Sequence, residues 1–174
     1  MRAVSTYTII MATFSFDIVS DYDKAEMNNV YSAVEREITT RYDFKGTSAA
    51  IEWLDNKAGF KIIGSNQWQC DTILDIVRKK LAARDQTSKV LDLSKTPHES
   101  NLKTTWEIPF KQGLSQDNAK LITKVIREKA PKAKSQIQGD MVRVSSNSKD
   151  ELQAIIGVLK NEDFDFPLQF INYR

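Results

Sequence analysis

The chain has 174 residues, with 25 Lys and Arg against 23 Asp and Glu, one Cys and one His. That length suits one large domain or two small ones with a real core, and a formal charge of +2 excludes a protein that grips duplex DNA by charge alone. A single cysteine, Cys70, excludes an internal disulfide and fits a reducing compartment, and beside a single histidine, His98, it leaves no set from which a His/Cys metal centre is built.

No apolar run approaches a membrane span. Residues 1–10 carry Arg2 but neither the continuous apolar stretch nor the small-residue cleavage pattern of a secretory leader, so a cytoplasmic protein without a membrane partner is expected. Met11 offers a second start, and residues 1–10 read as an N-terminal extension, either disordered or outside the native protein.

In chain order, Phe14, Phe16 and Ile18 alternate with Ser15, Asp17 and Val19, which predicts a strand. From Asp23 to Arg41 the apolar positions Met27, Val30, Tyr31, Val34 and Ile38 form one helical stripe, running out at Gly46. Ala49, Ile51 and Trp53 alternate, residues 55–59 turn, and Phe60 and Ile62 begin a return strand. A second helix over Gln67–Ala83 carries Ile73, Ile76, Val77 and Leu81, and Val90–Leu93 reads as a short closing strand. Residues 11–93 thus form a first βαββαβ domain.

Residues 94–103 are polar, contain Pro97 and have no period, which places an inter-domain linker there. A second domain over 104–174 repeats the order. Trp106, Ile108 and Phe110 alternate through a strand, and Ser115 caps a helix with Ile122, Val125 and Ile126 inward, stopped by Pro131. Lys134–Gln138 and Met141–Ser145 form a hairpin through Gly139 and Asp140, with Ile137, Val142 and Val144 facing a core. Ser148 and Glu151 stand at capping-box spacing before a helix bearing Leu152, Ile155, Ile156 and Leu159. A last strand follows Pro167, with Leu168 and Phe170 inward and Gln169, Ile171 and Tyr173 on the open face.

The fold class is therefore α+β: two tandem ferredoxin-like domains, each a four-stranded antiparallel sheet with two helices on one face. Nothing local assigns the first and last strands to one half, so exchange of a strand between the domains fits the same pattern.

Several motifs carry a resemblance. SFDIVS at 15–20, RYDFKG at 41–46, LDIVRKKL at 74–81, KQGL at 111–114, QIQGD at 136–140 and QFINYR at 169–174 resemble the bacterial YajQ family, and the likeness runs over nearly all of residues 11–174. The ten extra residues at the start and variation in the linker are the departures. The resemblance implies tandem ribonucleoprotein-like domains that bind nucleotides or RNA rather than catalyse, in a family linked to cyclic di-GMP sensing, to other nucleotides such as GTP or ATP, and to tRNA. Which ligand applies is not implied, because one fold hosts many functions.

The residues themselves point to the open face of the second domain. Ribonucleoprotein sheets stack single-stranded RNA on exposed aromatics of their central strands, and this hairpin offers Met141, Arg143 and Ser145 instead. Arg143 suits stacking on a base or a bidentate bond to guanine, Lys111 and Lys134 suit phosphate, and Gln136, Gln138 and Gln169 suit base edges. The alternative is an ordinary solvated sheet face. Arg41 to Gly46 joins Tyr42 and Phe44 with Arg41 and Lys45, a composition for stacking a base and meeting phosphate, though ending a helix is the simpler account of each residue. Arg78, Lys79, Lys80 and Arg84 form a basic helix end with the same two readings.

Catalysis has less support. His98 falls in the linker, Cys70 reads as a packing residue, and neither a P-loop nor a Gly-x-Gly-x-x-Gly turn occurs. Asp21 with Asp23, and Asp163 with Asp165, suit magnesium but fit helix starts and loops more simply. The expectation is a protein without cofactor that senses cyclic di-GMP or another guanine nucleotide; the alternatives are an RNA or tRNA adaptor and a protein-interaction module that meets a regulator.

Overall fold

Alternating strands and amphipathic helices build two separate cores. The computed structural model describes residues 13–174, so the extension expected at 1–10 lies outside them. The elements are β1 (Phe14–Val19), α1 (Lys24–Thr40), β2 (Ala50–Trp53), β3 (Gly59–Gly64), α2 (Gln67–Ala83), β4 (His98–Ser100), β5 (Lys103–Pro109), α3 (Gln116–Lys129), β6 (Lys134–Gln138), β7 (Met141–Ser146), α4 (Lys149–Asn161) and β8 (Gln169–Ile171). They form two four-stranded antiparallel sheets, ordered β6-β7-β1-β8 and β2-β3-β5-β4. Among the described residues no helix is long and apolar enough to cross a membrane.

The helix starts follow their caps. Asp23 accepts from the Glu26 N–H, Asn66 from Gln69, Ser115 from Asn118 and Ser148 from Glu151, each satisfying an N–H that the first turn leaves open. The capping box of α4 closes through a third residue: Glu151 Oε1 accepts from the Ser146 hydroxyl at 2.7 Å, and that hydroxyl accepts from the Ser148 N–H at 3.0 Å. In the β6–β7 turn Gly139 adopts φ +63°, the conformation a two-residue hairpin loop takes at low cost with glycine.

The fold class stands, and strands are exchanged between the two halves of the chain. β1 pairs with β7 and β8, 124 or more residues onward, while β5 pairs with β3. The contiguous domains 11–93 and 104–174 are thereby corrected. One compact unit is residues 22–112; the other joins residues 13–21 to Gly113–Arg174. We call these the inserted and the split unit. In the split unit β1-α3-β6-β7-α4-β8 runs in ferredoxin-like order. In the inserted unit the strand lying beside β3, which a βαββαβ chain would supply first, comes last, as β5.

The linker at 94–103 is corrected with it, because β4 lies there as an edge strand paired to β5. Its three residues are exposed on both faces, so it has no alternation to read. The strand expected at Val90–Leu93 is instead a 3-10 turn over Ser88–Val90 followed by one bridge, Leu91 to Phe110. Val90 and Leu91 are buried all the same, in the core of Phe60, Ile62, Ile73, Leu81 and Ile108. The split unit's core gathers Phe16, Ile18, Ile122, Ile126, Val142, Val144 and Leu159.

Candidate functional site

The register of the split unit's sheet arranges its helix-free face in rows. Lys134, Ser145 and Ser15 stand opposite one another; Gln136, Arg143, Asp17 and Ile171 form the next row; Gln138 faces Met141. Directly opposed residues share a face, so Phe16, Ile18, Val142 and Val144 take the helix side. The sheet therefore brings Lys134, Gln136, Gln138 and Arg143 together as expected.

At the centre is an ion pair that links residues 126 apart in sequence. Arg143 Nε donates to Asp17 Oδ1 at 2.8 Å and a terminal nitrogen donates to Oδ2 at 3.3 Å. Asp17 is fully buried, whereas the Arg143 side chain keeps 32% exposure. Asn172 Nδ2 adds a bond to Asp17 Oδ2 at 2.8 Å. The Arg143 hydrogen bonds hold the Asp17 carboxyl below the usual carboxylate range, outweighing burial, which acts the other way; Asn172 and the charge of Arg174 add to the lowering. The same bonds raise Arg143. A fork fixed on a buried carboxylate has one edge committed and presents its plane and remaining N–H groups outward.

Asn172 reaches Asp17 through a break in β8. Asp17 stands opposite Ile171, so unbroken pairing would set Ser15 opposite Tyr173. Ser15 instead exchanges both backbone hydrogen bonds with Arg174, at 3.2 and 3.0 Å. Asn172, at φ +57°, is the additional residue of a β-bulge, a device that re-aims the side chains beside it. Tyr173, expected on the open face, is turned to pack on the buried Phe16, with ring centroids 6.1 Å apart.

Gln169 is also engaged. Its Oε1 accepts from the Asp21 N–H at 2.8 Å and its Nε2 donates to the Asp21 carbonyl at 3.0 Å, a closed pair that uses the amide to fasten the end of β1. Gln138 Nε2 lies 3.4 Å from Gln136 Oε1.

Arg41, Lys45 and Lys111 belong to the inserted unit, not to the unit whose sheet carries this face. Arg41 ends α1 and makes two bonds to Asp43, at 2.9 and 2.8 Å, with its guanidinium 4.8 Å from the ring centroid of buried Phe44. The helix closes there rather than at Gly46, followed by a 3-10 turn over Tyr42–Phe44. Lys45 is exposed just after that turn. Lys111 adds positive charge near Asp92. In the basic end of α2, Arg78 lies 3.5 Å from Asp75, Lys80 lies 3.0 Å from Glu37, and Arg84 pairs with Glu26, so this cluster is largely neutralised within its own unit.

Cys70 is buried, with its thiol pushed up to about 11 by burial, which disfavours a thiolate nucleophile at neutral pH. His98 is an exposed residue of β4. Asp23 caps α1, and among the described residues no group of three or more His, Cys, Asp or Glu is placed to hold a metal.

Asp17 and Asn172 are the site residues the sequence reading missed. Asp17 carried a signal, a carboxylate at the middle of a strand between Phe16 and Ile18, but its meaning depends on knowing that β1 lies beside β7.

Over residues 14–174 the chain matches the family described as "Nucleotide-binding protein YajQ-like". A protein named "Nucleotide-binding protein" from a Nocardioides species is 47% identical over 165 residues, covering 94% of this chain and 100% of the relative. Proteins of the same name from Thermobifida fusca and Trichodesmium erythraeum are each 44% identical, over 164 and 163 residues, covering 94% of this chain and 99% of each relative.

Proposed function

Because this chain belongs to the YajQ-like family, we propose that it binds a nucleotide, without chemistry on it, on the open face of the split unit. Arg143 is the central contact, with Lys134 set for phosphate and Gln136 and Gln138 for base edges. Gln169, whose amide is held by Asp21, drops out of the contact set. Arg41, Lys45 and Lys111 are left to the other unit. The ligand class is a guanine nucleotide, cyclic di-GMP foremost, and the role is regulatory: occupancy of the face is what a partner protein would read.

One observation carries this reading. Arg143 is oriented by a buried carboxylate while its outer side stays open to solvent. Preorganising a planar cation lowers the ordering cost of binding, and a guanidinium plane stacks on a base or meets phosphate. The central strands β1 and β7 offer Ser15, Asp17, Met141, Arg143 and Ser145 to this face, so an RNA platform of stacked aromatics has no support there.

The test is a calorimetric titration of the full chain with cyclic di-GMP, GTP and a short single-stranded RNA, each at two salt concentrations. Saturable binding of cyclic di-GMP or GTP is expected, weakened about tenfold in Arg143→Lys, which keeps the charge and loses the planar fork. Binding of RNA alone, falling steeply with salt, would overturn the reading in favour of an RNA adaptor. No heat from any ligand would leave a protein-interaction module.

A further inference from the structure

The bulge at Asn172 does more than deliver an amide to Asp17. It turns Tyr173 away from the open face, and beside it, at the end of β1, lies a recess of about 170 Å³ lined by Phe14, Ser15, Lys149, Leu152, Gln153, Tyr173 and Arg174. We propose that this recess is a second binding site of the split unit, for one nucleobase carrying one phosphate. It goes beyond the sheet-face reading and does not rest on it.

Four features converge there. Tyr173 is anchored against Phe16 on one side yet is 58% exposed, so an oriented ring is open to a planar ligand. Phe14 supplies a second ring, with Lys149 Nζ 5.7 Å from its centroid. Lys149 brings a cation and Gln153 an amide able to read a base edge, while Arg174, opposite Ser15, stands at the rim. None of the lining side chains is acidic. Stacking on exposed rings beside cations is the chemistry by which bases and their phosphates are held without sequence preference.

Competing charges bound the proposal. Asp17 attracts Arg174 from the sheet. Asp150, beside Lys149 in sequence, lines a different groove, between α3 and α4, and Glu151 is held by the Ser146 hydroxyl. Lys149 is therefore the principal phosphate contact, and Arg174 the lesser.

Volume decides the ligand's size. Pockets for drug-sized molecules begin at roughly 300 Å³, and this recess is about half of that. It takes one ring system with its phosphate at the rim, not a dinucleotide. That unit is found in a free mononucleotide and at the end of a single strand.

The experiment is a two-dimensional amide NMR titration of the full chain with guanosine 5′-monophosphate and, in parallel, with a short single-stranded oligoribonucleotide. Signals of Ser15, Lys149, Gln153 and Tyr173 are expected to move together. Tyr173→Leu keeps an apolar contact for Phe16 and removes the ring, and should weaken binding by about tenfold, the order of loss expected on removing one stacking ring; Lys149→Gln removes a charged contact to phosphate and should also weaken binding by about tenfold. The thermal midpoints of both variants show that they remain folded. Movement with the mononucleotide identifies a free nucleotide as the ligand, and movement with the oligonucleotide alone identifies a strand end. Shifts confined to Gln136 and Arg143 would overturn the recess and leave the sheet face standing. So would wild-type affinity in Tyr173→Leu, or no shift with either probe.

Discussion

In the split unit the middle row of the open face holds one ion pair, the buried Asp17 with the partly exposed Arg143. In the inserted unit the row at the middle of the same face runs Glu52, Lys61, Glu107, with Lys95 Nζ 3.7 Å from Glu107. The first pair is shielded, bidentate and braced by Asn172; the Lys95–Glu107 pair is about half exposed on both sides. The same ferredoxin-like sheet thus carries a preorganised cation in one unit and a solvated charge ladder in the other. The difference lies in what surrounds the strands. A bulge after β8 closes over Asp17, whereas the three residues of the edge strand β4 are themselves exposed.

The largest effect should come from asking whether the two units are energetically separate. Phe60 is fully buried and its ring meets those of Tyr31, Trp53 and Phe110, so Phe60→Ala should cost about 3–5 kcal/mol. Trp53, Trp68 and Trp106 all lie in residues 22–112, so tryptophan fluorescence reports the inserted unit. The fluorescence midpoint should fall while hydrogen exchange in β7 keeps its protection. Equal loss in both probes would break the comparison, since the units would then unfold as one.

Next in size is the ion pair. Arg143→Ala leaves the buried Asp17 with the Asn172 hydrogen bond and the more distant charge of Arg174, and because Arg143 is partly exposed the cost should be about 2–3 kcal/mol, below the ~3–5 of a fully buried pair. Its pH dependence has a definite sign. The Asp17 carboxyl is lowered in the folded state, so its stabilisation is complete above the unfolded-state value, about pH 4, and is lost as pH falls through the lower folded value. Asp17→Asn should therefore be less stable than wild type at pH 7, with the gap closing in acid urea titrations below about pH 4. A gap constant with pH would mean that the carboxylate's charge is not what matters.

Periodicity made most of this legible. Gln67–Ala83 is one helix in sequence and structure alike, and the β6–β7 hairpin with its Gly139-Asp140 turn follows from alternation and turn chemistry. Strand ownership was not legible. β1 and β5 present the same apolar alternation whichever sheet receives them, and only long-range pairing decides. β4 has no buried face and so leaves no pattern. The site followed suit: Lys134, Gln136, Gln138 and Arg143 could be placed on one face from local alternation, but Asp17 as partner of Arg143 needed the β1–β7 register. Tyr173 was misplaced because a single bulge inverts every position after it. Asn172 held the hint, as asparagine tolerates the left-handed region better than most residues.

The two-residue turns of the β4–β5 and β6–β7 hairpins sharpen the contrast at a smaller scale. In the split unit the β6–β7 turn has glycine at its positive φ. In the inserted unit the β4–β5 turn is Asn101-Leu102, with φ of 53° and 64°, and Leu102 is 96% exposed. A leucine there bears left-handed strain without burial in return. Leu102→Gly, which makes the Asn-Gly pair preferred in such turns, should raise stability by about 1 kcal/mol and lift the fluorescence-detected midpoint. A lowered midpoint would mean that the side chain has a contact within the fold.

The smallest effect is expected where the charge ladder is broken. Lys95 and Glu107 are separated by 3.7 Å and both reach solvent, so their attraction is screened and offset by the entropy of ordering two long side chains. Lys95→Ala and Glu107→Gln should each change stability by less than about 0.5 kcal/mol, and the double variant should show coupling no larger than either single change. High salt should erase what coupling there is, while leaving the cost of Arg143→Ala largely intact, because Asp17 is out of reach of solvent ions. If salt instead reduced both to the same extent, Asp17 would be solvated in solution, and the oriented guanidinium on which the binding face depends would lose its physical basis.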